Sequence, residues 1–174
     1  MADAAPPFTI ARLGTVHDRT TFHSGSEPLD RYFLNQATQD IRRRVSACFV
    51  AVARDTGAVV GYYTIASSSV PLTDLAPEAA RRLPRYPQVP AVRIGRLAVA
   101  SDRRGQGIGV GLLVDAIARA CRAEIVAFAV VVDAKDDDAA AFYRHHKFVA
   151  LQSQPRTLYL PIAQAAKELG LSPP

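Results

Sequence analysis

The chain has 174 residues, 49% of them hydrophobic and 21% charged, and its 21 Lys and Arg against 16 Asp and Glu give a formal net charge of +5. That length suits one domain able to bury about 70% of the surface its unfolded form exposes, and the composition excludes a disordered or collagen-like polymer. The basic balance favours polyanionic partners, although a coenzyme carrying phosphates would by itself reward some of it.

Residues 1–7 have neither the basic nor the apolar region of a signal peptide. Residues 8–13 alternate as a short strand does, and 17–26 form a polar loop. Ser26 is placed to cap a helix whose first turn holds Glu27 and Pro28. Leu29, Phe33, Ala37 and Ile41 recur at four-residue intervals and predict one helix running to about Val45. Its last turn is Arg42, Arg43 and Arg44. The helix C-terminal dipole accounts for one or two cations, and three in a row with Arg31 upstream point to an exposed basic edge.

Residues 47–54 and 58–69 read as strands joined by the turn Asp55-Thr56-Gly57. Between 70 and 90 come five prolines and the basic cluster Arg81, Arg82, Arg85, with a short helix over 76–83 and loop elsewhere. An excursion of that length is either functional or a mobile surface segment. Leu97, Ala98 and Val99 form a short apolar strand. A turn with glycines at 105, 107, 109 and 111 follows, then a helix from Gly107 to Arg122 with Ile108, Leu112, Ala116 and Ala120 on one face.

The run from 125 to 132 predicts a central strand buried on both sides, and its eight residues cannot span a bilayer. Asp136, Asp137 and Asp138 supply caps for a helix over 139–146. Strands over 148–152 and 157–161 and a terminal helix over 162–169 close the chain. The alternation of strands and helices indicates a mixed α/β (α+β) sheet in one domain over 1–174, with its core at about 8–162. Cys48 and Cys121 form no C-x-x-C pair and read as buried thiols of a reducing cytosol, so a cytoplasmic protein is expected.

The glycine-rich turn reads as a phosphate cradle, the alternative being a turn between strand and helix with no ligand. Small residues let backbone N–H groups converge on an anion, and the helix N-terminus adds unpaired donors and the positive end of its dipole. Val110 and Leu112 exclude a G-x-G-x-x-G fingerprint, and no Lys-Ser/Thr pair follows. The segment Arg104-Gly105-Gln106-Gly107-Ile108-Gly109 fits Q/R-x-x-G-x-G/A, and so resembles the acetyl-coenzyme A loop of the GCN5-related N-acetyltransferases, the GNAT family. The resemblance implies a GNAT fold and acetyl-CoA as co-substrate, held by Leu97, Ala98, Val99, Arg104, Gly105, Gln106, Gly107, Ile108 and Gly109.

Ala139 to Tyr143 is similar to the family's N-x-x-A-x-x-F-Y motif. The likeness implies that Tyr143 protonates the departing thiolate, a role for which a phenol with an ordinary pKa near 10 stays protonated at neutral pH. Phe142 is assigned to the core. Asp136 replaces the motif's usual Asn, and Lys147 stands where Gly often precedes Phe148. No Asp or Glu announces itself as a base on the strand before the loop, which carries Arg93 and Arg96 instead. An arginine stays charged and cannot take the amine's proton. An α-amine, near 7.7 to 8.0, needs a base less than a lysine does. The histidines at 17, 23, 145 and 146 lack paired ligand spacing, so no metal is expected, and Ser67-Ser68-Ser69 lacks a nucleophile elbow.

Along 8–162 the chain resembles the toxin halves of bacterial type II toxin–antitoxin pairs, the TacT/AtaT kind of GNAT. The likeness rests on Phe22-x-Ser24-Gly25, Leu29-Asp30-Arg31-Tyr32-Phe33, Ala37-x-Gln39-Asp40, Gly61-Tyr62-Tyr63 and Gly95-Arg96-Leu97-Ala98-Val99. It implies acetylation of the α-amine of aminoacyl-tRNA, which blocks translation, a ribbon-helix-helix antitoxin, a homodimer, and contact with DNA only through the antitoxin. By the same analogy Arg42, Arg43, Arg44, Arg81, Arg82, Arg85, Arg93 and Arg96 are RNA contacts. A GNAT acting on a small-molecule or protein amine, and a non-catalytic module binding coenzyme or RNA, are the competing readings.

Overall fold

In a computed structural model that describes residues 4–171, the elements follow the expected order. β1 (Phe8–Arg12) leads to α1 (Glu27–Asn35) and α2 (Ala37–Arg42), then to the hairpin of β2 (Ala47–Ala53) and β3 (Val59–Pro71). The short α3 (Pro77–Ala80), β4 (Gln88–Val99) and α4 (Ile108–Arg122) come next. β5 (Ala129–Asp133), α5 (Asp137–His145), β6 (Val149–Ala150), β7 (Thr157–Pro161) and α6 (Ile162–Glu168) complete the described chain. The seven strands hydrogen-bond in the order β1-β2-β3-β4-β5-β7-β6. β4 and β5 run parallel, while the β1–β2, β2–β3, β5–β7 and β6–β7 pairs are antiparallel. The reading of residues 1–7 and the domain limits 1–174 extend outside the described residues. Contacts group the chain into two compact units, one of residues up to Ile65 with Arg96–Asp115, the other of Ala66–Gly95 with residues from Ala116 on.

In the first unit the expected single helix is two. Gln36 leaves helical geometry at φ −120°, ψ −29°, while its N–H still bonds to the Tyr32 carbonyl at 2.8 Å. The apolar spacing continues through the break, and Phe33 and Ala37 are both fully buried, which is why the sequence period does not reveal it. Ser26 stands at the N-cap position, but its side chain makes no capping bond. Phe33 stacks on Tyr62 with centroids 4.2 Å apart, and Phe22 meets both edge-on at 5.2 and 5.7 Å. α4 lies close over β3 because residue 61 is glycine: a Cβ there would stand 2.9 Å from Leu112 Cδ1 and 3.1 Å from the Ala98 carbonyl. The predicted α4 face is observed, with Ile108, Leu112, Ala116 and Ala120 all buried.

In the second unit the proline-bearing excursion is anchored to the core at its two ends, while most of 77–88 is exposed. Val70, Leu72, Leu75 and Val89 are buried together with Val131 and Tyr159. The Asp74 carboxylate accepts from the Ser153 N–H at 3.0 Å and hydroxyl at 2.7 Å, Gln152 Nε2 donates to the Leu75 carbonyl at 2.6 Å, and the Tyr159 hydroxyl accepts from the Ala76 N–H at 2.9 Å. The helix expected over 76–83 shrinks to Pro77–Ala80, and β4 begins at Gln88 rather than near Leu97. β5 is shorter than the apolar run that predicted it, because its parallel ladder with β4 extends only from Ala91↔Ala129 to Ile94↔Val132. Ile125 and Val126 lie before that ladder and are 86% and 75% exposed. The strand expected over 148–152 contracts to Val149–Ala150.

Candidate active site

In the first unit, β4 feeds the glycine loop through a 3-10 turn at Ser101–Arg103. Gly105 and Gly107 have φ of +75° and +79°, and a Cβ on either would meet nothing within 4 Å. The glycines are therefore favoured by backbone conformation, and the space beside them is open. The buried Ile108 anchors the first turn of α4, whose N–H groups have no i−4 carbonyls to bond. On the strand, Ala98 is buried while Leu97 and Val99 are half-buried. Gln106 and Gly107 are exposed and Gly109 is half-buried.

Arg104 is exposed, yet its side chain is engaged within the protein. Its guanidinium donates to the Ser24 carbonyl, and Ser24 is held in turn by Asp30 Oδ1, which accepts from the Ser24 N–H at 2.9 Å and hydroxyl at 2.6 Å. Gly25 adopts φ +87°, and a Cβ there would lie 3.1 Å from Arg104 Nη2. Arg104 thus contributes its backbone to the cradle and its side chain to a clamp on the N-terminal loop. Arg103 pairs with Asp55 at 3.4 Å.

Nearby on the same unit, the Tyr32 hydroxyl donates to Asp40 Oδ2 at 2.8 Å. In a straight helix residues eight apart are separated by about 12 Å along the axis, so this bond depends on the break at Gln36. The Arg96 guanidinium lies 3.5 Å from the Tyr32 ring centroid, and the Arg96 N–H donates to Thr64 Oγ1 at 3.1 Å. Burial raises the Tyr32 phenol above its ordinary value, with Asp40 adding and Arg96 opposing.

In the second unit, α5 carries Tyr143. Asp136 Oδ1 accepts from the Ala139 N–H at 2.8 Å, so the carboxylate standing where the motif has an amide serves as the helix N-cap. Lys147 takes φ +74°, the conformation that suits the glycine it replaces. Tyr143 is buried and packs on Phe148 at 5.5 Å and Phe142 at 5.3 Å. Phe142, assigned to the core from sequence, is only half-buried. Burial pushes the Tyr143 phenol well above 10.0, and the Asp133 charge adds to it. Among the described residues no hydrogen bond engages its hydroxyl.

Arg93 is occupied. It pairs with Asp133 through Nη1 and donates from Nε to Ser68 Oγ at 3.3 Å, while Thr157 Oγ1 donates to Asp133 Oδ1 at 3.0 Å. Arg42, Arg43, Arg44, Arg81, Arg82 and Arg85 are exposed and have no ion pair among the described residues. Arg44, just past the end of α2, is left-handed at φ +60°. Among the described residues no group of three or more His, Cys, Asp or Glu side chains could hold a metal ion, and no helix is long and apolar enough to cross a membrane.

The family model of the GNAT acetyltransferases matches residues 12–148. The chain belongs to the GNAT family. A relative from Mycobacterium tuberculosis named tRNA-acetylating toxin is 37% identical over 161 residues, covering 91% of this chain and 95% of the relative. Among solved GNAT-like structures, AtaT complexed with acetyl-methionyl-tRNAfMet superposes with TM-score 0.81 at 22% identity, covering 94% of this chain and 97% of that one. A Tyr-to-Phe mutant of the AtaT toxin, bound to the C-terminus of the antitoxin AtaR and acetyl-CoA, gives 0.75 at 20% identity, with 94% and 98% covered. These two structural likenesses bear on the GNAT fold alone. Sequence reasoning passed over Tyr32, Asp40, Asp30 and Ser24 as individual actors, although all four lie in the segments that carried the toxin resemblance.

Proposed function

We propose that this GNAT enzyme moves acetyl from acetyl-CoA to the α-amine of aminoacyl-tRNA and so acts as the toxin of a toxin–antitoxin pair. The observation that carries acetyl transfer is the open loop with left-handed Gly105 and Gly107 at the start of α4, a cradle for the coenzyme pyrophosphate. The name of the relative from Mycobacterium tuberculosis supports the RNA acceptor.

In this reading the backbone of Arg104–Gly109 holds the pyrophosphate, and Leu97, Ala98 and Val99 line the coenzyme arm. The neutral α-amine attacks the thioester carbonyl. A C–N bond forms, the C–S bond breaks with its electron pair going to sulfur, and Tyr143 gives the thiolate its proton before regaining one from water. The amine's own proton leaves to solvent, since an α-amine near 7.7 to 8.0 is already substantially neutral. The product amide has a delocalised lone pair and cannot attack a peptidyl ester, so translation stops. Arg42, Arg43, Arg44, Arg81, Arg82 and Arg85 contact RNA phosphates. A ribbon-helix-helix antitoxin, a homodimer, indirect contact with DNA through that antitoxin and a cytoplasmic location complete the proposal.

The test is incubation of the protein with a pool of charged tRNAs and labelled acetyl-CoA, with small amines in parallel. Acetate on the aminoacyl bond supports the reading. Turnover of small amines alone favours an ordinary GNAT, and no transfer of any kind favours a binding module.

A further inference from the structure

Three segments that marked this chain as toxin-like meet at one place. Tyr32 comes from the Leu29–Phe33 segment, Asp40 from the Ala37–Asp40 segment and Arg96 from the strand before the coenzyme loop. The carboxylate of Asp40 accepts from the Tyr32 hydroxyl at 2.8 Å, and the ring that this bond fixes supports the Arg96 guanidinium at 3.5 Å. The Arg96 main chain is itself pinned by Thr64 Oγ1 at 3.1 Å.

What this arrangement lacks is an acceptor. Arg96 is half-buried, and among the described residues no carboxylate, carbonyl or hydroxyl accepts from its guanidinium. That group carries five N–H donors in a planar fork and stays charged. Arg93, on the same strand, shows the contrast, since its guanidinium is taken by Asp133 and Ser68. A cation partly withdrawn from water, flattened on an aromatic ring and left with its donors free is preorganised for an oxyanion.

We infer that Arg96, held flat by Tyr32 and Asp40, binds a phosphodiester at the terminus of the nucleic-acid acceptor and thereby distinguishes it from a free amine. This rests on the acceptor proposed above. Tyr32 and Asp40 are positioning residues: Tyr32 fixes the plane of the guanidinium and Asp40 fixes Tyr32. Arg96 differs from the exposed arginines at 42–44 and 81–85, because its orientation is set before the ligand arrives and less freedom is lost on binding.

The test compares two acceptors that differ by one phosphodiester, 3′-aminoacyl-adenosine and 3′-aminoacyl-adenosine 5′-(methyl phosphate), with the wild type and with Arg96→Gln, Arg96→Lys, Tyr32→Phe and Tyr32→Leu. The wild type is expected to favour the second acceptor by about tenfold or more in kcat/KM, the worth of a charge-assisted hydrogen bond. Arg96→Gln and Tyr32→Leu should bring that ratio close to one. Arg96→Lys, which keeps the charge without the fork, and Tyr32→Phe, which keeps the ring without the Asp40 bond, should fall between. Acetyl-CoA binding and thermal unfolding of each variant separate loss of recognition from loss of fold, and if Tyr32→Leu does not fold, Arg96→Gln and Tyr32→Phe carry the comparison. A wild-type ratio near one, or a ratio that Arg96→Gln leaves intact, overturns the inference while leaving acetyl transfer to aminoacyl-tRNA standing. A wild type that acetylates neither compound nor charged tRNA overturns both.

Discussion

The guanidinium of Arg104 donates to the main-chain carbonyl of Ser24, 80 residues earlier in the chain. This bond ties the glycine loop to a turn that Asp30 holds from α1, so the loop's shape depends on residues that precede it by most of the first unit.

The clamp predicts a divergence between two glycines. Gly25→Ala places a side chain at φ +87° and 3.1 Å from Arg104, whereas Gly57→Ala meets nothing at φ +72°. Both should lose about 1–2 kcal/mol of stability from backbone strain. Only Gly25→Ala should weaken acetyl-CoA binding. Calorimetric titration with acetyl-CoA beside thermal unfolding checks the pair, and equal loss of coenzyme affinity in both would count against the clamp.

Tyr143→Phe removes only the hydroxyl, which has no bonding partner among the described residues, so stability should change by less than about 1 kcal/mol. As a general acid its loss should lower kcat by about 10²-fold or more. The pH profile has a defined sign. Tyr143 acts in its protonated form and burial raises its pKa above 10.0, so its deprotonation produces no falling limb at neutral or mildly alkaline pH. The rise of kcat/KM should instead follow the α-amine, near pH 7.7 to 8.0. A fall in kcat/KM below pH 9 would assign the acid to another group.

The arginines should separate by salt dependence. Each of Arg81, Arg82 and Arg85 that meets a phosphate should, when changed to Ala, reduce the slope of log K against log salt for tRNA binding by about 0.7 to 0.9. Arg93→Ala should leave the slope nearly unchanged and lower thermal stability, because its partners are Asp133 and Ser68. Electrophoretic or filter binding across salt concentrations reads both.

Asp74→Ala strips the Ser153 N–H and hydroxyl of their acceptor and should cost about 2 kcal/mol, with Asp74→Asn costing less. Hydrogen exchange should rise across 72–87, the segment this carboxylate fastens, while the first unit stays protected. Uniform loss of protection would mean that the latch supports the whole chain instead.

Legibility followed from the range of the interactions. The face of α4, the hairpin turn at Gly57, the cap at Asp136 and the glycine loop are local, and spacing alone exposes them. The break at Gln36 is hidden because Leu29, Phe33, Ala37 and Ile41 keep their period through it. Ile125 and Val126 look like strand because hydrophobicity does not reveal where the β4 ladder begins. The Asp74–Ser153 latch joins residues 79 apart, and Arg93 and Arg96 look equivalent until Asp133 and Tyr32 are seen beside them. Motif singles out the glycine loop and Tyr143 as candidates, whereas the clamp on Arg104 and the support under Arg96 come only from the fold.

The central claim is acetyl transfer to an α-amine carried on RNA. The measurement that bears on it most directly is recovery of labelled acetyl-aminoacyl-adenosine after nuclease digestion of a charged tRNA pool incubated with the protein and acetyl-CoA. The account predicts label on the aminoacyl moiety with the wild type, and at least a hundredfold less with Tyr143→Phe. Label on added small amines or on protein, with none on the aminoacyl-adenosine, would contradict it.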